Sequence, residues 1–315
     1  MQRADSRRLV QYALWALAAA LLIYAFVAGG YLLTVLGFAA IYAIFVTGLN
    51  FFMGYAGQVS FGQNAFAALS GYTSAVLTAT YGWQPIAALP LGVIGAVIVA
   101  FVVGYPALRL RGHYLAMATL ALGMIVYEIA VEWQSITQGY MGISGIPPLG
   151  MGRWELNDPK HQLAFLMVVL VVALIAAWRL KESRFGMALA AIAGSEDAAK
   201  ALGVDVARYK LAAFVIAAVY AAVAGSLMVH FVGFVSPEVF GLHMVISGFM
   251  MLYVGGIGSI AGPLFGALIV SLLPETFRAF KDYQDLAYGA ALIIILIFAP
   301  KGAASLARFL PGSRK

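Results

Sequence analysis

Residues 86–105 read IAALPLGVIGAVIVAFVVGY, twenty apolar or small residues in a row without a single charge. A helix of that length spans about 30 Å, which is the thickness of a bilayer's hydrocarbon core. Comparable runs lie on both sides of it. Together they cover about 9–27, 31–49, 57–79, 86–105, 113–132, 162–178, 210–230, 241–257, 260–273 and 286–299. The runs are continuous rather than alternating, which argues against a β-barrel. A helix satisfies its own backbone hydrogen bonds in lipid, so helices are the expected element. The sequence therefore predicts an all-α polytopic membrane protein with about 8–10 transmembrane helices, some of them short or re-entrant. Residues 1–315 read as a single transmembrane domain.

Composition agrees. The chain has 315 residues, of which 63% are hydrophobic and 10% charged. Soluble proteins carry about 45–50% apolar and roughly 25% charged residues. Mean hydropathy is +0.94. These values exclude a soluble enzyme, a disordered chain and a nucleic-acid-binding domain. The net charge of +6 is what basic cytoplasmic loops produce in a membrane protein, so membrane lipid is the expected neighbour and nucleic acid is not. With no cysteine, disulfide and thiolate chemistry are ruled out.

Arg3, Arg7 and Arg8 precede the apolar run Leu9–Val27. At 19 residues this run exceeds the roughly 7–15 of a signal-peptide core, so it reads as a retained first helix, with a cleaved signal as the alternative. A cytoplasmic N-terminus then places Arg3, Arg7, Arg8, Arg109, Arg111, Arg179, Lys181, Arg184, Lys200, Arg208, Lys210, Lys301, Arg308, Arg314 and Lys315 inside, 15 of the 19 basic residues. Arg153, Lys160, Arg278 and Lys281 fall outside. That skew follows the positive-inside rule and puts both termini in the cytoplasm. An eight-crossing arrangement with two segments dipping in and out preserves it.

Two loops are long enough to carry function: an external one over 133–161 and a cytoplasmic one over 179–210. Glycine-rich interruptions occur in both halves, at Gly54-Tyr55-Ala56-Gly57 and at Gly255–Pro263. Paired interruptions point to a transporter's central site. Close helix packing is the competing explanation. Several chemistries are absent. None of the seven lysines follows a glycine, so there is no P-loop. His113, His161, His230 and His243 form no metal-binding pair. No catalytic residue, metal site or cofactor is expected, and an energy source must come from a partner or an ion gradient.

The cytoplasmic loop holds the most specific pattern, Gly194-Ser195-Glu196-Asp197-Ala198-Ala199-Lys200-Ala201-Leu202-Gly203. Ser195 is suited to cap a helix, Glu196 and Asp197 suit its positive end, and Gly203 suits a left-handed stop. The predicted helix is 196–202, about 10 Å long. Asp205 then caps the following span. A turn resting on lipid headgroups is the plain alternative, but small Ala198 and Ala199 fit a protein groove better.

Glu196-x-Ala198-Ala199-x-x-x-Gly203 resembles the Glu-Ala-Ala loop of ABC-importer permeases. The segment Tyr42–Asn50 and the run Gly54-Tyr55-Ala56-Gly57-Gln58-Val59-Ser60-Phe61-Gly62 resemble the branched-chain amino acid permease family, M-type. So do Gly112–Leu120, Ala201–Val204 with Arg208-Tyr209-Lys210, Gly255–Ser259 with Gly262-Pro263, and Ala299-Pro300-Lys301-Gly302. The resemblance implies a permease subunit of an ABC importer in the bacterial inner membrane. Its partners are then a second, homologous permease, two ABC ATPase subunits that bind the ATP, and an external substrate-binding protein. It implies that Glu196, Asp197, Ala198, Ala199, Leu202 and Gly203 form the coupling helix that docks on an ATPase. It implies a branched-chain or other hydrophobic amino acid, or a related small carboxylate or amide, as substrate. The chain departs from the family at Gln63-Asn64, where His-Ala is frequent, and at Glu128, where the acid is frequent near Met124, one helical turn away.

Asn50, Gln58, Ser60, Gln63, Asn64, Thr119 and Glu128 are the candidate translocation-pathway residues. Polar groups in lipid need partners, so they either line a pathway or bond helices together. Glu128 is the one acid clearly inside an expected span, with Glu132 at that span's end. It is a functional hypothesis by default, or it snorkels to the nearby surface. A secondary transporter using Glu128 as its ion site is the alternative function. A scaffold without a pathway is a third reading.

Overall fold

The computed structural model describes residues 30–151 and 154–277, together with positions 289, 290 and 293. The expected segments 9–27 and 286–299, their flanking basic residues and the motif at 299–302 lie outside the described residues. The other eight apolar segments each correspond to one helix. Helix α1 (Tyr31–Asn50) runs into a π-helical turn, Phe51–Tyr55. Helix α2 (Gln63–Ala75) ends in a second such turn, Val76–Thr80. Then follow α3 (Pro85–Ala107), α4 (His113–Glu132), α5 (Pro159–Glu182), α6 (Arg184–Gly194), α7 (Glu196–Ala201), α8 (Val206–Val232), α9 (Leu242–Gly255) and α10 (Gly262–Phe277). Among the described residues six stretches are long and apolar enough to cross a membrane: Tyr31–Tyr55, Pro85–Ala107, His113–Glu132, Pro159–Glu182, Val206–Val232 and Pro237–Gly255. The chain is a multi-pass, all-α membrane protein.

Helices α1 and α8 form the centre and run antiparallel, with Gly37 against Phe231 and Gly48 against Tyr220. Lipid tails are as apolar as leucine, so burial of large side chains drives little association between spans. Small residues that allow close van der Waals contact do more. The buried face of α8 is accordingly rich in alanine: Ala213, Ala217, Ala218, Ala221, Ala222 and Ala224. The stretch 86–105 shows the same logic. Ala88, Gly92, Ala96, Ala100 and Gly104 recur every four residues and form the buried stripe of α3. Gly92 meets Ser70 and Gly104 meets Phe214. Ile94, Ile98, Phe101 and Val102 on the other face are exposed, as lipid contact requires.

Helix α2 is a half-span. It lies parallel to α8, with Ser70 Oγ 2.7 Å from Ser226 Oγ and Ser74 Oγ 2.7 Å from His230 Nε2. Both pairs are 156 residues apart. The same offset sets Gln63 level with Val219, the midpoint of the 27-residue α8. The chain therefore turns back at Tyr55, re-enters through residues 56–62, and starts α2 halfway up the bundle, with Gly62 against Thr119 of α4. Helices α9 and α10 make a second hairpin, closed where Gly255 touches Gly262 and Gly266 touches Met251. Its tip, 256–261, abuts the π-turn of α1 at Gly54.

At the end of the bundle opposite α7, Ile143–Ser144 (β1) pairs antiparallel with Phe234–Val235 (β4), and Gly150–Met151 (β2) with Trp154–Glu155 (β3). His230 bonds the Pro147 carbonyl at 2.8 Å, tying this loop to α8.

Gly225 tests the packing of α8 on α2, because a Cβ there would run into the Ala67 carbonyl of α2. Gly225→Leu should lower the unfolding temperature in detergent, in line with an overpacking cost of about 1–3 kcal/mol. Gly95→Leu, on an open face of α3, should leave it unchanged.

Candidate functional site

The sequence-predicted site residues fall into three places. The first is the end of the bundle around α7. Ser195 Oγ accepts from the Ala198 N–H at 3.2 Å, so the helix is capped as expected. Gly203 has φ +86°, a left-handed stop, and Asp205 caps α8 by accepting from the Arg208 N–H at 3.2 Å. The helix itself is one residue shorter than predicted. It ends at Ala201, and Leu202 is its C-cap, because the Gly203 N–H turns back to the Lys200 carbonyl and tightens the last turn.

The two acids of α7 diverge. Asp197 is exposed. Glu196 points inward. Its Oε1 accepts from Lys210 Nζ at 2.9 Å and from Gln58 Nε2 at 3.0 Å, and Arg111 Nε lies 3.8 Å from Oε2. The Lys210 side chain is only 3% exposed and that of Glu196 19%. Burial by itself raises the Glu196 carboxyl. The Lys210 bond and charge, the Gln58 bond and Arg111 outweigh it and hold the group below its ordinary value of 4.5. Ala199 packs inward beside it. Of the expected docking residues, Asp197, Ala198, Leu202 and Gly203 are left outward, with Leu202 83% exposed, and Lys200 and Ala201 are exposed beside them. The helix is thus clamped to α8, to the re-entrant segment and to the turn before α4, while presenting an apolar tip at Leu202.

The second place is the join between the two helix breaks. Asn50 Nδ2 donates to the Ser259 carbonyl at 2.8 Å and to Tyr55 Oη at 3.2 Å, and Asn50 Oδ1 accepts from the Gly258 N–H at 2.8 Å. Lys181 Nζ donates to the Gly258 carbonyl at 2.9 Å and lies 5.0 Å from the Tyr55 ring centroid. Asn50 and Gln58, read from sequence as lining residues, spend their side chains on these two joins.

The third place is the middle of the bundle. A cleft of about 400 Å³ lies between α4 and α9, lined among others by Asn64, Met124, Tyr127, Glu128, Glu238 and His243. Met124 and Glu128, one turn apart, both face it. Beside it, Ser60, Phe61, Gln63 and Asn64 meet Phe45, Leu49, Val245 and Phe249 around a narrow void, open on one side, with no room for a water molecule. Phe61 stacks on Phe249 at 4.5 Å. Thr119 is not part of this lining; its Oγ1 accepts from the Phe61 N–H at 3.0 Å and so holds the re-entrant segment. Asn64 Nδ2 donates to the Phe240 carbonyl at 2.8 Å, while Asn64 Oδ1 and both amide atoms of Gln63 have no partner among the described residues. Each buried polar group left unpaired costs about 1–3 kcal/mol. Sequence reasoning did not single out Tyr127 or Lys181; a lysine in the last turn of a span reads simply as an edge marker. Among the described residues no cluster of His, Cys, Asp or Glu can hold a metal.

Comparison with known proteins agrees with this geometry. The model of the family "Branched-chain amino acid transport system / permease component" matches residues 31–299. The chain is similar to the high-affinity branched-chain amino acid transport system permease protein LivM of Escherichia coli K12, at 33% identity over 85% of this chain and 68% of that one. It is also similar to the corresponding LivH protein of the same organism, at 28% identity over 83% of this chain and 90% of that one. The probable LivM permease of Methanocaldococcus jannaschii is 27% identical over 68% of this chain and 67% of that one.

The Glu196–Lys210 contact has a definite pH dependence. A carboxyl lowered by folding stabilises the fold above its unfolded value and loses that contribution as pH falls through its native value. Thermal unfolding of the detergent-solubilised protein should therefore weaken more steeply below the carboxyl's ordinary value of 4.5 in wild type than in Glu196→Gln. Lys210→Met, which leaves a partly buried carboxylate short of its main partner, should lower the unfolding temperature at neutral pH.

Proposed function

We propose, proceeding from the fact that the chain belongs to the branched-chain amino acid transport permease family, that it forms half of the transmembrane pathway of an ABC importer. It is a transport subunit; the ATP is bound and hydrolysed on partner chains, and this chain needs no cofactor of its own. The substrate is a branched-chain or other hydrophobic amino acid or a related small carboxylate or amide. A second, homologous permease completes the pathway, two ATPases dock below, and a binding protein delivers substrate from outside. The protein sits in the bacterial inner membrane with both termini in the cytoplasm, which makes the α7 end cytoplasmic and the β1–β4 end external. The loops 133–161 and 179–210 serve those two faces.

The observation that carries this reading is the outward apolar tip of α7. A leucine 83% exposed, at the end of a capped helix whose inner side is clamped by Glu196 and Ala199, is what a protein groove would accept. ATP-driven closure of the ATPases would carry α7, and the Lys210, Gln58 and Arg111 contacts would transmit its movement to α8, the re-entrant segment and the start of α4. The cleft lined by Asn64 and Glu128 is open on one side, and exposed Met117, Met124, Leu242 and Ile246 on α4 and α9 supply apolar surface for the second permease.

Leu202→Asp leaves the packing of this chain intact, since nothing in it covers the residue. It should reduce ATP-driven uptake about tenfold or more and weaken recovery of the ATPases with the tagged permease, while the amount in the membrane stays the same. Gly203→Asp, which forces a side chain into a left-handed conformation, should act in the same direction. Full uptake by both variants, with ATPases retained, would sink the docking assignment.

A further inference from the structure

Two buried amides lie at about the same depth in this bundle and differ completely. Asn50 has partners for both ends of its amide. Gln63 is 2% exposed, and neither Nε2 nor Oε1 has a partner among the described residues. Buried amides in native structures are almost always bonded, so an orphan requires an explanation. Gln63 is also the first residue of α2, and α2 begins in the bundle interior without a side-chain cap. Gln63 and Asn64 of that first turn line the same void, at the positive end of the helix. That combination selects an anionic oxygen.

We infer that the start of α2, Ser60 to Asn64, is the subsite that takes the carboxylate of the transported substrate, with the Gln63 amide as its principal side-chain donor. The inference rests on the importer reading above. The walls fit the rest of such a substrate. Phe45, Leu49 and Val245 are apolar, and neither a lysine nor an arginine lines the void. The charge is therefore met by the helix end and the amide, not by an ion pair that would hold the substrate too tightly to release. Asn64 borders both the void and the cleft that holds Glu128 and Glu238. An amino acid lying across Asn64 with its carboxylate at Gln63 turns its ammonium toward those two acids. The void has no room for a substrate in this conformation, and separation of α9 from α2 would widen it. No described residue bonds the Gln63 amide, which leaves it for the substrate.

The test uses the complete importer, both permeases with ATPases and binding protein, in proteoliposomes supplied with radiolabelled L-leucine. Gln63→Leu keeps the size and removes a group that no described residue bonds. Its unfolding temperature should equal or exceed wild type, while uptake falls about tenfold or more, as expected for losing a hydrogen bond to a charged group. Gln63→Glu places a second carboxylate at the site and should take up less than Gln63→Leu. Wild-type uptake by Gln63→Leu, or uptake by Gln63→Glu at or above that of Gln63→Leu, overturns the subsite alone. A wild-type complex that moves no L-leucine overturns the amino-acid reading and the subsite with it.

Discussion

Hydrocarbon supplies no hydrogen bonds, so a chain that breaks a helix inside a membrane must bond the freed backbone groups itself. This fold breaks two: at Tyr55–Gln63 and at Gly255–Gly262. It brings the breaks together, and a side chain beside the first, Asn50, bonds the backbone of the second. Asn50 reaches 208 residues along the chain to the Gly258 N–H and also bonds the Ser259 carbonyl, and Lys181 takes the Gly258 carbonyl. Glycine at 54 is required because a Cβ there would collide with the Asn50 side chain and crowd the Gly258 nitrogen. The π-turn at Phe51–Tyr55 is the local form that this contact imposes on α1.

With that join closed, the two ends of the molecule take different roles. The α7 end is fixed through ionic and amide contacts, Glu196 with Lys210, Gln58 and Arg111. These reach spans and the re-entrant segment at once, so a push on α7 is felt along α8 and at the segment 56–62 that leads to α2. The segment 56–62 ends where Thr119 and Gly62 touch, and there α2 begins. The contacts therefore form a continuous chain from the surface helix to the interior void. Rigid packing along α1 and α8 keeps this chain short and stiff. Gln63 and Asn64, whose side chains are left short of partners among the described residues, lie at the inner end of this chain of contacts.

Much of this was legible in the sequence. Runs of about twenty apolar residues located all six long spans, because the bilayer sets their length. Ser195, Gly203 and Asp205 marked the boundaries around α7, because capping is a local interaction. The four-residue rhythm of Ala88, Gly92, Ala96, Ala100 and Gly104 was present in the opening stretch and marks the packed face of α3. What the sequence hid depends on contacts distant along the chain. Gln58 bonds Glu196 across 138 residues, and no local pattern distinguishes it from Gln63, five positions on, whose side chain has no partner among the described residues. Glu196 and Asp197 are adjacent acids that look alike in sequence, yet one is clamped inward and the other faces out. The interior start of α2 was equally hidden, since 57–79 is a continuous apolar run whose first part is not helical.

The most direct measurement of the central claim is the energy source of transport. The chain, its second permease, the ATPases and the binding protein are reconstituted in proteoliposomes, and uptake of radiolabelled L-leucine is followed with and without ATP and with and without a protonophore. The account predicts uptake that requires both ATP and the ATPase subunits and is indifferent to the protonophore. Uptake that persists without ATPases and collapses when the proton gradient is dissipated would contradict it and make Glu128, rather than α7, the centre of the mechanism.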